Sequence, residues 1–130
     1  MSYSKDDLLF VPLGGSGEIG MNVNLYHFRD SWIMVDLGIS FPDESTPGVD
    51  VILPDLKFIA DRREKLAGLV LTHGHEDHLG AIPYLWSQIG CPIYGSAFTL
   101  ALLRRKLSES RGDYDIPLYE IGMNAPFKLG

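Results

Sequence analysis

His73, His75, Asp77 and His78 lie within six consecutive positions, and each of these side chain types can bind a metal ion. Three of the chain's four histidines fall in this stretch, with a carboxylate among them, directly after the apolar run Leu69-Val70-Leu71. Side chains two apart on extended backbone point to the same side, so His73 and His75 can present two imidazoles to one ion. Gly74 between them lets other backbone approach closely. If the chain turns into a helix at Asp77, then Asp77 and His78 swing to a different side and can serve a second ion a few ångströms away. Imidazole and carboxylate suit Zn²⁺, whereas Mg²⁺ and Ca²⁺ call for oxygen donors. Glu76 projects between these donors and reads as a solvated or supporting group. His27 stands alone in a strand, where a structural role is the plainer reading.

Such a loop has to be held by a framework, and the flanking sequence supplies one. Leu8–Leu13 and Asn22–Phe28 read as strands, the second with Val23, Leu25 and His27 on one face at period two. Gly14, Gly15, Gly17 and Gly20 mark the loop between them. The Asp30-Ser31 turn leads to a third strand, Trp32–Asp36, which completes an antiparallel meander. Residues 38–54, with prolines at 42, 47 and 54, suit an irregular loop. Acid near the start and base near the end of Asp55–Lys65 predict a helix. A buried strand over Leu66–Thr72 and a helix from Asp77 to Gln88 then bracket the histidine run. A strand at Pro92–Tyr94, a helix to Ser110 capped by Ser96, and a strand near Pro117–Ile121 complete an α/β layered pattern.

The run Thr72-His73-Gly74-His75-Glu76-Asp77-His78 resembles the His-X-His-X-Asp-His signature of the metallo-β-lactamase superfamily. The flanks "LGGSGEIGMN" (13–22), "VDLGISFPDE" (35–44), "GVDVILPD" (48–55) and "LTHGHEDHLGAIPYL" (71–85) are similar to the ribonuclease J family within it. The resemblance implies the first part of an αββα sandwich, with residues 1–130 the N-terminal portion of that domain and a β-CASP domain lying outside the chain. It makes His73 and His75 ligands of one zinc, Asp77 and His78 ligands of the other, and Asp36 a support behind the site. The activity implied is zinc-dependent hydrolysis of RNA phosphodiesters, endonucleolytic and 5′-to-3′ exonucleolytic, by a homo-oligomeric cytoplasmic protein. The remaining ligands and the general acid would lie downstream, since no histidine follows His78. In some relatives the segment Thr46–Asp50 offers carbonyls to a hard cation such as Ca²⁺, so it is expected to be ordered. Rival readings are a hydrolase of a small ester or thioester, a DNA-directed nuclease, and a non-catalytic fragment.

Composition sets the outer limits. The chain has 130 residues, 45% of them hydrophobic and 22% charged, enough for one core. No stretch reaches the length of a membrane span, and the polar start Met1–Asp7 does not resemble an export signal. The single cysteine, Cys91, fits a reducing compartment and a buried role. A net charge of −6 argues against holding nucleic acid by charge alone, although Arg62-Arg63 and Arg104-Arg105-Lys106 could meet phosphate where they are not merely solvated helix faces.

Overall fold

The computed structural model describes residues 2–15, 20–41, 48, 51–110, 112 and 114–130. Six strands form one mixed sheet in sequential order. β1 (Leu9–Gly14), β2 (Val23–Phe28) and β3 (Ser31–Val35) pair antiparallel, while β4 (Leu66–Val70), β5 (Ile93–Gly95) and β6 (Leu118–Glu120) continue the sheet in parallel from β3. The β2–β3 hairpin turns through Arg29 and Asp30, at φ +50° and +60°, the mirror-image turn that matches the twist of paired strands.

Alternation fixes which face is buried. Val23, Leu25 and His27 of β2 and Trp32 and Met34 of β3 point to one side, where they meet Ile59, Ile82, Leu85, Ile89, Leu100 and Leu103 from the helical segments in a single core. His27 is structural, as its isolation in a strand suggests: its Nδ1 lies 2.7 Å from the carbonyl oxygen of Asp7, and its ring packs against Tyr3 and Trp32. Cys91 is buried as expected.

Two expected helices are each divided. In place of one helix over Asp55–Lys65 there is α1 (Lys57–Ala60) and a separate 3₁₀ turn, Arg63–Lys65. The Arg62 amide bonds back to Ile59 rather than Phe58, and the Arg62 guanidinium takes the Phe58 carbonyl at 2.7 Å. The Arg62 side chain thus occupies an acceptor that a continuing α-helix would use. The helix expected over Asp77–Gln88 is split into α2 (Glu76–Leu79) and α3 (Ile82–Ile89). Pro83 accounts for the break: it has no N–H to give the Leu79 carbonyl and its ring would crowd it, whereas the first turn of a new helix accepts proline. α4 (Ala97–Glu109) begins where Ser96 predicts, with the Ser96 hydroxyl accepting the Thr99 amide at 3.2 Å.

Candidate metal centre

The reversal from antiparallel to parallel pairing places the carboxyl ends of β3 and β4 side by side, a position where α/β sheets commonly bind ligands. Asp36 follows β3 and Thr72 follows β4 by two residues. Asp36 is 4% exposed and adopts φ +65°, a left-handed conformation uncommon for a non-glycine residue and held here by constraint. The constraint is visible. Its amide donates to the Val70 carbonyl at 2.9 Å, and its Oδ1 accepts the Thr72 amide at 2.8 Å. Its Oδ2 accepts the Thr72 hydroxyl at 2.7 Å and lies 2.8 Å from Nδ1 of His78.

The structure brings the expected donors to one end of the sheet. The rings of His73 and His75 stand edge to face with centroids 4.8 Å apart, so both project to the same side. The His73 and His78 rings are 3.7 Å apart. His78 Nε2 lies 3.6 Å from Oδ2 of Asp77, while its Nδ1 is engaged by Asp36. Among the described residues no group of three or more His, Cys, Asp or Glu side chains is arranged to hold one ion. The four donors lie together, with the His73 ring beside those of both His75 and His78 and Asp77 next to His78. Their chemistry fits a divalent metal, because a carboxylate on the far nitrogen of a histidine is the usual support of a ligating imidazole.

Residues outside the signature dock α2 to the sheet. The carbonyls of Glu76, Asp77 and His78 accept the amides of Ile39, Asn22 and Leu37 at 3.1, 3.0 and 2.8 Å. Asn22 also gives its side-chain amide to the Asp77 carbonyl at 3.0 Å, and the same Nδ2 lies 3.4 Å from both Asp77 Oδ2 and His78 Nε2. At Gly38 an added Cβ would overlap the Asp77 carbonyl, so this approach requires glycine. Gly74 is held as closely, with its Cα facing Leu102 of α4. Asn22, Gly38 and Thr72 received no role from sequence reasoning. Their contacts span up to 56 positions, and only the motif-like runs in which they sit set them apart.

Glu76 is not simply solvated. It is ion-paired with Lys106 of α4, whose Nζ lies 2.9 and 2.8 Å from its two carboxylate oxygens. Lys106 is thereby committed to the chain itself, as are Arg105, bonded to Glu109, and Arg62, stacked 3.9 Å from the centroid of the Phe58 ring. Gly20 lines a cleft with Ile39, Ser40, Phe41, His75, Glu76 and Asp77, so the end of the glycine-rich loop does lie beside the histidine run. Gly17 and, apart from Gly48, the segment Thr46–Asp50 expected to be ordered lie outside the described residues.

Comparison with known proteins identifies the framework. The model of the metallo-beta-lactamase superfamily matches residues 17–125. The chain belongs to that superfamily. Within it, the sequence is 44% identical over 123 residues to ribonuclease J of Sinorhizobium meliloti, covering 90% of this chain and 22% of that protein. It is 46% identical over 110 residues to ribonuclease J of Thermus thermophilus, covering 81% and 19%. Ribonuclease J 2 of Staphylococcus aureus is 36% identical over 115 residues, covering 88% and 21%. The chain thus spans about a fifth of the length of these relatives. Human tRNase Z, short form, shares the superfamily fold at a TM-score of 0.52 and 15% identity, over 87% of this chain and 44% of that one.

Proposed function

We propose that this chain carries the first metal-binding motif of a zinc-dependent ribonuclease that hydrolyses RNA phosphodiesters, both endonucleolytically and from the 5′ end. The observation that carries the reading is the likeness to ribonucleases J over most of the chain, coinciding with donors that converge at the carboxyl ends of β3 and β4. In this reading His73 and His75 hold one ion, Asp77 and His78 hold the other, and Asp36 fixes His78 from behind. Zn²⁺ bound there would lower the pKa of a water toward about 7 and polarise the phosphoryl oxygen. The chain's own part is to aim the donors. Asn22 and Gly38 hold the first turn of α2 against the sheet, and Glu76 is turned away toward Lys106. Further ligands, the general acid and the residues that grip RNA belong to the rest of the polypeptide.

The test is replacement of ligands in the full-length protein. His75→Ala is expected to abolish RNA cleavage while leaving the circular dichroism and melting temperature nearly unchanged, because His75 is exposed. Asp77→Ala should do the same, and the double variant should cost little more than either change alone, since both donors serve one mechanism. Retention of most RNA cleavage by the folded double variant would sink the proposal.

A further inference from the structure

A metal ligand is defined by an atom, and an imidazole has two candidates. We propose that the Thr72 hydroxyl is a positioning group that keeps the proton of neutral His73 on Nδ1, so that Nε2 presents its lone pair to the metal. As a carboxylate Asp36 can only accept, and its Oδ2 lies 2.7 Å from the Thr72 hydroxyl and 2.8 Å from Nδ1 of His78. The hydroxyl has a single proton, and that proton is committed to Asp36. Its oxygen keeps lone pairs, one of which faces Nδ1 of His73 at 3.0 Å. With the hydroxyl proton directed elsewhere, a hydrogen bond at that distance requires Nδ1 of His73 to be the donor.

Asp36 thereby sets the tautomer of two histidines, directly for His78 and through Thr72 for His73. The 3.4 Å separation of Thr72 Oγ1 from Nδ1 of His78 does not compete, because that nitrogen already has the shorter contact with the carboxylate. The hydroxyl is held on two sides, since the Thr72 amide donates to the other oxygen of the same carboxylate at 2.8 Å. The exposed His73 ring would otherwise be free to carry its proton on Nε2, the form that neutral histidine side chains favour in water.

The inference rests on the metal reading above for its consequence, but the hydrogen-bond relay belongs to the metal-free protein and is measured there. With ¹⁵N-labelled histidine, the ring nitrogen shifts of metal-free protein, taken well above the histidine pKa range, report which nitrogen carries the proton. His73 and His78 are both expected to be Nδ1–H forms. Thr72→Val, which keeps the shape and removes the hydroxyl, should lower the His73 ratio of Nδ1–H to Nε2–H by about three- to tenfold, the range that one net hydrogen bond covers. It should also weaken Zn²⁺ binding about tenfold or more, as loss of a ligand's outer partner commonly does. Thr72→Ser should restore both. A wild-type His73 protonated on Nε2 overturns the proposal whether or not the valine variant folds. So does a folded valine variant with the wild-type tautomer ratio or with wild-type Zn²⁺ affinity. If Zn²⁺ leaves the shifts of His73, His75 and His78 unmoved while the tautomers are as expected, the metal reading fails and the relay stands.

Discussion

Asp36 is the residue on which the site turns. Buried and in a left-handed conformation, it uses its amide and both carboxylate oxygens at once, tying β4 to its own strand end and fixing the ring of His78. Gly38, two residues on, shows the same economy of space from the other side. Gly38→Ala would drive a methyl into the Asp77 carbonyl, and neither partner can yield without moving α2. The expected cost is about 3 kcal/mol, the upper end for overpacking, read as a lower urea midpoint with an unchanged slope. Cys91 makes a prediction in pH. Burial raises its thiol pKa from 9.0 to about 12. The unfolded chain therefore ionises first, and this contribution to stability is complete below pH 9.0 and lost as pH rises toward about 12. The folded chain should accordingly resist a thiol-specific disulfide reagent at pH 8 and react promptly once denatured.

At the scale of elements, capping gives the clearest expectation. The Ser96 side chain starts α4, the helix that supplies Lys106 to Glu76 and packs Leu102 over Gly74. Ser96→Ala should cost about 1 kcal/mol in denaturant titration, and Ser96→Asp should retain most of the stability. That cap was legible in the sequence, as were all six strands and the two-apart placement of His73 and His75, because these follow from local periodicity. The divisions between α1 and the 3₁₀ turn and between α2 and α3 were read as continuous helices. Pro83 was a visible signal for the second break, since it sits inside the expected helix. The first has no local signal: it depends on Arg62 folding back onto the Phe58 carbonyl and ring. The Glu76–Lys106 pair and the Asn22 contact were equally out of reach, because their partners lie 30 and 55 positions away.

Taken whole, the molecule has two unlike faces. One side of the sheet is closed by helices over the core. The other carries Phe10, Tyr26, Phe28 and Tyr119, about half exposed, with Phe127 stacked on Tyr94 at 5.9 Å as partial cover. Phe10 and Tyr26 are cross-strand partners with ring centroids 5.2 Å apart, so the aromatic surface is continuous across β1 and β2. The chain carries a net charge of −6, and Arg62, Arg105 and Lys106 each contact a group of the chain itself.

The backbone clasp on α2 has a consequence in time as well as in space. The amides of Asn22, Leu37 and Ile39 are all spent on carbonyls of α2, and Ala81 returns a bond to Leu37 at 3.1 Å. Asp77 and His78 therefore ride on a turn clasped to the sheet, and the His75 carbonyl joins that turn by accepting the amides of His78 and Leu79 at 2.9 and 3.1 Å. In metal-free protein, deuterium should enter the amides of Leu37, Ile39 and Ala81 orders of magnitude more slowly than those of His73 and Gly74. Equal rates would show that the clasp opens as freely as the loop.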